Sequence, residues 1–182
     1  MKFCSHCSHP VRHGIPVGDD RHRHICDACG SIHYQNPKII AGCIPCWDDR
    51  VLLCRRAIEP RVGFWTLPAG FMELGETLGE AARREAREEA NVEVELLSLH
   101  SLFSLPQFSH VYAFFRARMV SEAFFPGAES LEVRLFQEHE IPWADVAFET
   151  VARALQCFFN DRRQGVYLFR EEAIRPHEPG CL

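Results

Sequence analysis

Residues 70–92 read Gly70-Phe71-Met72-Glu73-Leu74-Gly75-Glu76-Thr77-Leu78-Gly79-Glu80-Ala81-Ala82-Arg83-Arg84-Glu85-Ala86-Arg87-Glu88-Glu89-Ala90-Asn91-Val92. Thr77 with Glu80 is a capping box: the hydroxyl accepts from the third helical amide and the glutamate reaches back to the cap. The residues that follow are mostly Ala, Glu and Arg, all strong helix formers, so a helix is predicted over residues 77–90. Glu85, Glu88 and Glu89 stand at i, i+3 and i+4 and share one face. Like charges so spaced cost an isolated helix about 0.2–0.5 kcal/mol per pair. Either a hard divalent cation lies over these oxygens, or Arg83, Arg84 and Arg87 lace a solvated face, with Arg84 reaching Glu80 or Glu88. The helix by itself favours the solvated face.

Upstream, Gly63 to Gly75 is loop-like, with Pro68, Gly70 and Gly75 as punctuation. Before it, residues 38–47 and 51–55 read as two strands joined by Asp48-Asp49-Arg50. Cys43 and Cys46 fall in the first of these, where side chains at i and i+3 face opposite ways, so they read as core packing. Downstream, strands are predicted at 92–104, 111–120 and 131–136, with an irregular link from Ile141-Pro142-Trp143. An amphipathic helix over 149–161 places Val151, Ala154, Leu155 and Phe158 on one stripe, with Cys157 beside it. The tail, residues 171–182, is charged and proline-containing and is expected to be loose. Strands mixed with two helices predict an α/β sandwich in one domain, residues 36–170, opening at Asn36-Pro37 because the residue before proline avoids the helical region.

Residues 1–35 are poor in large aliphatics and need a staple other than a core. Cys4-Ser5-His6-Cys7 and Cys26-Asp27-Ala28-Cys29 supply four thiols at zinc-ribbon spacing. A closed four-cysteine site has no open coordination position, so this zinc is predicted to be structural. His6, His9, His22, His24 and His33 are read as surface histidines.

The chain holds 20 Lys+Arg against 25 Asp+Glu, a formal charge of −5. That balance argues against a nucleic acid partner, which calls for a dense positive footprint. The 47% hydrophobic content supplies a core, yet no apolar run approaches the ~20 residues that span a bilayer. Met1 to Cys7 lacks an apolar h-region, and nine cysteines cannot all pair within one chain. A cytoplasmic protein with no membrane partner is expected.

From Gly70 to Val92 the chain resembles the Nudix box, Gly-x5-Glu-x7-Arg-Glu-U-x-Glu-Glu-x-Gly-U with U apolar. Every named position matches except the last glycine, here Asn91. That position follows a helix end, where a left-handed residue is wanted and Asn is the usual substitute. The resemblance implies a Nudix α/β/α sandwich with a mixed sheet, preceded by the small zinc ribbon. It also implies hydrolysis of nucleoside diphosphate derivatives with Mg²⁺ or Mn²⁺. Glu85 and Glu89 then become primary metal ligands with the Ala69 carbonyl as a third, and Glu88 a ligand of a further ion or an outer base. Glu76 and Arg84 become the structural ion pair of the box, beside Gly70. A carboxylate outside the box completes such sites, and Glu129 is preferred to Glu132 for that part.

For substrate, the stretch Ser101-Leu-Phe-Ser-Leu-Pro-Gln-Phe-Ser109 departs from the Ser-Gln-Pro-Trp-Pro-Phe-Pro-x-Ser signature of NADH diphosphatases. The run Tyr34-Gln35-Asn36-Pro37-Lys38, then Phe64-Trp65-Thr66-Leu67-Pro68-Ala69-Gly70, and Pro126 to Glu132 is similar to the plant organellar FAD/ADP-ribose pyrophosphatase group and its bacterial relatives. That resemblance implies a small-molecule nucleotide substrate, ADP-ribose or FAD, with AMP released. The alternatives are an NAD(H) or NAD-cap diphosphatase, or a non-catalytic nucleotide-sensing module. Phe64, Trp65, Phe108 and Tyr112 are the candidate stacking partners for a base. Dimerisation is common in the family, so a homodimer is carried as an expectation.

Overall fold

The computed structural model describes residues 1–176 in two compact units, divided between Pro37 and Lys38. Cys181 and the end of the expected tail lie outside the described residues.

In the first unit, three short strands, β1 (Arg12–Gly14), β2 (Arg23–Ile25) and β3 (Ile32–His33), form an antiparallel sheet. Each Cys-x-x-Cys turn closes the same way, with Ser8 N–H on the Cys4 carbonyl (2.9 Å) and Gly30 N–H on the Cys26 carbonyl (2.8 Å). Both following residues are left-handed (Ser8 φ 63°, Gly30 φ 73°). Among its hydrophobic residues only Cys4, Ile25 and Cys26 are buried, too little apolar surface to hold the unit without a cross-link.

The second unit begins with β4 (Lys38–Trp47) and β5 (Arg50–Arg56), antiparallel only next to their turn, at Cys46↔Val51 and Trp47↔Arg50. Beyond that they splay, and the expected loop contributes β6 (Trp65–Thr66) on β5 and β7 (Ala69–Phe71) on β4. The helix α1 (Leu78–Ala90) follows, with Thr77 and Glu80 making both arms of the capping box and Asn91 left-handed at its end (φ 48°, ψ 37°). Then come β8 (Val94–Leu105), β9 (His110–Met119), β10 (Ser130–Phe136), α2 (Glu149–Gln164) and β11 (Arg170–Ala173). The sheet order is β10-β5-β4-β9-β8-β11, with β4–β9 and β8–β11 parallel and the other neighbours antiparallel.

Strand alternation divides the core in two. Ile44, Val51, Leu53, Phe103 and Phe114 face α2, packing on Val151, Ala154, Leu155, Phe158 and Phe159. Cys43, Leu52, Cys54, Ala117 and Val133 face α1, meeting Ala86 and Ala90. Cys43 and Cys46 accordingly end on opposite faces. The result is an α/β/α sandwich around a mixed sheet.

One expectation is corrected. Arg170–Ala173 is not loose but an edge strand. Asp161, fully buried on α2, ion-pairs with Arg170 and accepts from Leu168 N–H at 3.0 Å, and Ile174 is buried in the α2-side core. The charged sequence Arg-Glu-Glu-Ala hides this strand because its anchor lies on another element.

Candidate active site

A cavity of about 770 Å³ opens between α1, β7, β9 and the start of α2. Its floor comes from α1, which offers Glu85, Glu88 and Glu89; Ala69 and Gly70 of β7 form one wall, and Glu129, just before β10, faces them.

The carboxylates do not form a solvated face. Glu85 and Glu89 are 8% and 7% exposed, while the Glu88 side chain is 58% exposed. Arg87 is paired with Glu93 and Arg83 bonds the Gly79 carbonyl, so neither neutralises the cluster. Arg84 alone does, donating to Glu76 (2.6 and 3.1 Å), Glu85 (2.6 Å), Glu88 (2.9 Å) and the Phe71 carbonyl (3.0 Å). It therefore ties the loop before the helix to the helix itself, with Glu76 as its bidentate partner.

Glu89 receives no such help. Its Oε2 is buried with no hydrogen-bond partner. Burial, then the Glu85 charge, push its carboxyl up to about 8, against the pull of Arg56 and the Ala69 amide. Burial also raises Glu85, with Arg84 opposing. Two buried carboxylates with one orphaned oxygen are costly unless a cation neutralises them. Gly70 completes the cradle, since a Cβ there would lie 2.4–2.5 Å from the Glu85 carboxylate. An all-oxygen set of this kind fits Mg²⁺ or Mn²⁺. In the first unit the Cys4, Cys7, Cys26 and Cys29 sulfurs lie within 4.8 Å of one another, a thiol set that fits zinc.

The cavity gathers Ala69, Gly70, Arg84, Glu85, Glu88, Glu89, Tyr112 and Glu129, and leaves out Glu76, which acts through Arg84, and four further predicted residues. Glu132 pairs across the sheet with Arg55 of β5, 3.6 Å away, past a bulge in the β10–β5 register. Trp65 is core, its ring edge-on to Phe136 at 4.8 Å. Phe64 lies under the Arg61 guanidinium, and Phe108 is 63% exposed on the turn after β8.

Arg56, Phe71, His110 and Phe148 also line the cavity, unforeseen from sequence. His110 had a readable signal, since it stands at i, i+2 from Tyr112 on one strand face. Arg56 follows Arg55 and so faces the other way, with its guanidinium on the Pro60 carbonyl at 2.8 Å and over the Phe148 ring.

Comparison with known proteins agrees with this geometry. The NUDIX domain model matches residues 36–156 and the Nudix N-terminal model residues 2–35. The crystal structure of a NUDIX hydrolase from Nitrosomonas europaea is 53% identical with a TM-score of 0.94, covering 97% of this chain and 100% of that one. A bifunctional NMN adenylyltransferase/ADP ribose pyrophosphatase from Francisella tularensis, complexed with AMP and a Mn ion, shares the fold at 17% identity and a TM-score of 0.60, over 70% of this chain and 42% of that one. The NAD-capped RNA hydrolase NudC of Edwardsiella ictaluri (strain 93-146) is 37% identical over 99 residues, 53% of this chain. That match spans 35% of the relative's length. The chain belongs to the Nudix hydrolase family, with the family's N-terminal ribbon module ahead of the catalytic fold.

Proposed function

We propose that this protein is a divalent-metal-dependent diphosphatase that splits the diphosphate bridge of ADP-ribose or FAD and releases AMP. The observation that carries the reading is the buried pair Glu85 and Glu89, with one Glu89 oxygen unpartnered, beside Ala69 and Gly70 and with exposed Glu129 lining the same cavity. Bound Mg²⁺ or Mn²⁺ would neutralise diphosphate charge and lower the pKa of an attacking water. Glu85 and Glu89 would hold the ion with the Ala69 carbonyl, and exposed Glu88, held by Arg84 through one oxygen, would use the other to bind a further ion or take a proton. Among the cavity's cations Arg84 is occupied by carboxylates, which leaves Arg56 to meet the diphosphate. Beyond the acids the wall is aromatic. Phe71, His110 and Tyr112 are arrayed along it with neighbouring ring centroids 5.4 and 6.3 Å apart, a surface suited to a flat base.

A second reading is supported by the relatives. Proteins named NAD-capped RNA hydrolases match over the Nudix region, so NAD(H) or an NAD-capped RNA end stands as the alternative substrate, and the charge-based argument against nucleic acid loses its force. Against it, the segment aligned with the NADH diphosphatase signature is absorbed into β8 and its turn, with Phe108 outside the cavity.

The test is AMP release with Mg²⁺ or Mn²⁺ from ADP-ribose, FAD, NADH, NAD and an NAD-capped RNA. ADP-ribose or FAD turned over well ahead of the others is expected. A preference for NAD or capped RNA would replace the first reading with the second, and inertness toward all five would end both.

A further inference from the structure

The residue that departs from the box pattern makes a contact that glycine has no means of making. Asn91 is left-handed at the end of α1, and its Nδ2 donates to the Phe125 carbonyl at 3.1 Å. The segment it grips caps the helix. Phe125 N–H donates to the Ala90 carbonyl (3.1 Å) and Gly127 N–H to the Glu89 carbonyl (3.0 Å), filling acceptors that a helix end leaves open. Gly127 lies so flat on this end that a Cβ would fall 1.7 Å from the Glu88 carbonyl oxygen. Two residues on, Glu129 enters the cavity, and its own carbonyl accepts from Ala57 N–H at 2.8 Å. The strap from Phe125 to Glu129 is thus pinned at one end to the helix bearing Glu85 and Glu89 and at the other to the continuation of β5.

We infer that Asn91 is a positioning residue for the metal site, acting through Glu129 by holding the Phe125–Glu129 strap against the end of α1. The inference rests on the reading of Glu129 as a carboxylate of the metal site. Glycine at position 91 keeps the left-handed turn but drops the side-chain tie, so the strap loses one of its three hydrogen bonds to the helix end and Glu129 its fixed distance from Glu85 and Glu89.

The experiment is a double-mutant cycle on the full zinc-loaded chain, Asn91→Gly with Glu129→Gln, read by Mn²⁺ binding through the electron paramagnetic resonance of free Mn²⁺. Melting temperature is the control, because glycine is favoured at this cap and the fold survives the change. Asn91→Gly should weaken Mn²⁺ binding roughly tenfold, the low end for loss of an outer-shell partner. In the Glu129→Gln background the same change should have no further effect. Wild-type Mn²⁺ affinity in Asn91→Gly overturns the inference, as does an undiminished loss when Glu129 is already Gln. Failure of the diphosphatase reading shows separately, as Mn²⁺ binding indifferent to Glu89→Gln.

Discussion

Gly70 lies directly beneath Glu85, so close that a Cβ would stand 2.4 Å from the Glu85 Oε1. The carboxylate can yield only by leaving Arg84, which grips the same oxygen at 2.6 Å. Gly70→Ala should therefore displace Glu85 without opening the core. Misplacing a reacting group by an ångström costs on the order of 10²-fold in rate. The expected outcome is a loss of that order in kcat with a melting temperature near that of the parent. Unchanged turnover would show that Glu85 needs no such floor.

Glu89 links catalysis to stability with opposite signs. Its folded carboxyl titrates near 8 against 4.5 for an ordinary glutamate, because burial and the Glu85 charge oppose ionisation. In metal-free protein the folded state holds this proton while the unfolded state loses it, so stability falls as pH rises from 4.5 through about 8 and is level beyond. Glu89→Gln removes that penalty. Its melting temperature should equal the parent's near pH 4.5 and exceed it increasingly toward pH 8. Its turnover should drop about 10²–10³-fold, the scale for losing one electrostatic partner of a transition state. A parent and variant whose melting curves stay parallel across this range, or a variant with near-normal turnover, would remove Glu89 from the account.

The sequence spoke most clearly where a local rule governs. The capping box, the left-handed Asn91 and the shared face of Glu85, Glu88 and Glu89 are set by residues within a few positions of one another. Alternation along β4 likewise sent Cys43 and Cys46 to opposite cores. What stayed hidden depends on distant partners. Whether Trp65 meets a ligand or Phe136 is decided by β10, far along the chain. That Glu132 meets Arg55 while Glu129 lines the cavity depends on where β10 begins and on the bulged register of its pairing with β5. The strand at Arg170–Ala173 needs Asp161 on α2 to hold it.

That last anchor is testable by itself. The Arg170 guanidinium beside Asp161 holds its carboxyl below the usual aspartate range, so the pair adds stability above the unfolded aspartate pKa that is lost as pH falls through the depressed folded value. Asp161 is fully buried but Arg170 is 28% exposed, which reduces the cost of breaking the pair below the ~3–5 kcal/mol of a wholly buried one. Asp161→Asn should cost about 2 kcal/mol, or roughly 4–8 °C at this size. Limited proteolysis should then cut near residue 170 faster than in the parent. Equal melting temperatures would mean that β11 is held by pairing with β8 and by Ile174 alone.

The ribbon makes a different prediction, since its order is expected to come from metal. Cys4, Ile25 and Cys26 are the buried hydrophobic residues of residues 1–37, and the three strands are two or three residues long. A short hairpin set of this kind does not hold itself in water. Four converging sulfurs cross-link both turns when zinc is bound, and the binding free energy becomes folding free energy. Chelation should release one zinc per chain and expose residues 1–35 to protease, while the sandwich beyond Lys38, with its own two cores, keeps its melting transition. If the chelated ribbon resists protease as well as the native one, its order comes from something other than the four thiols.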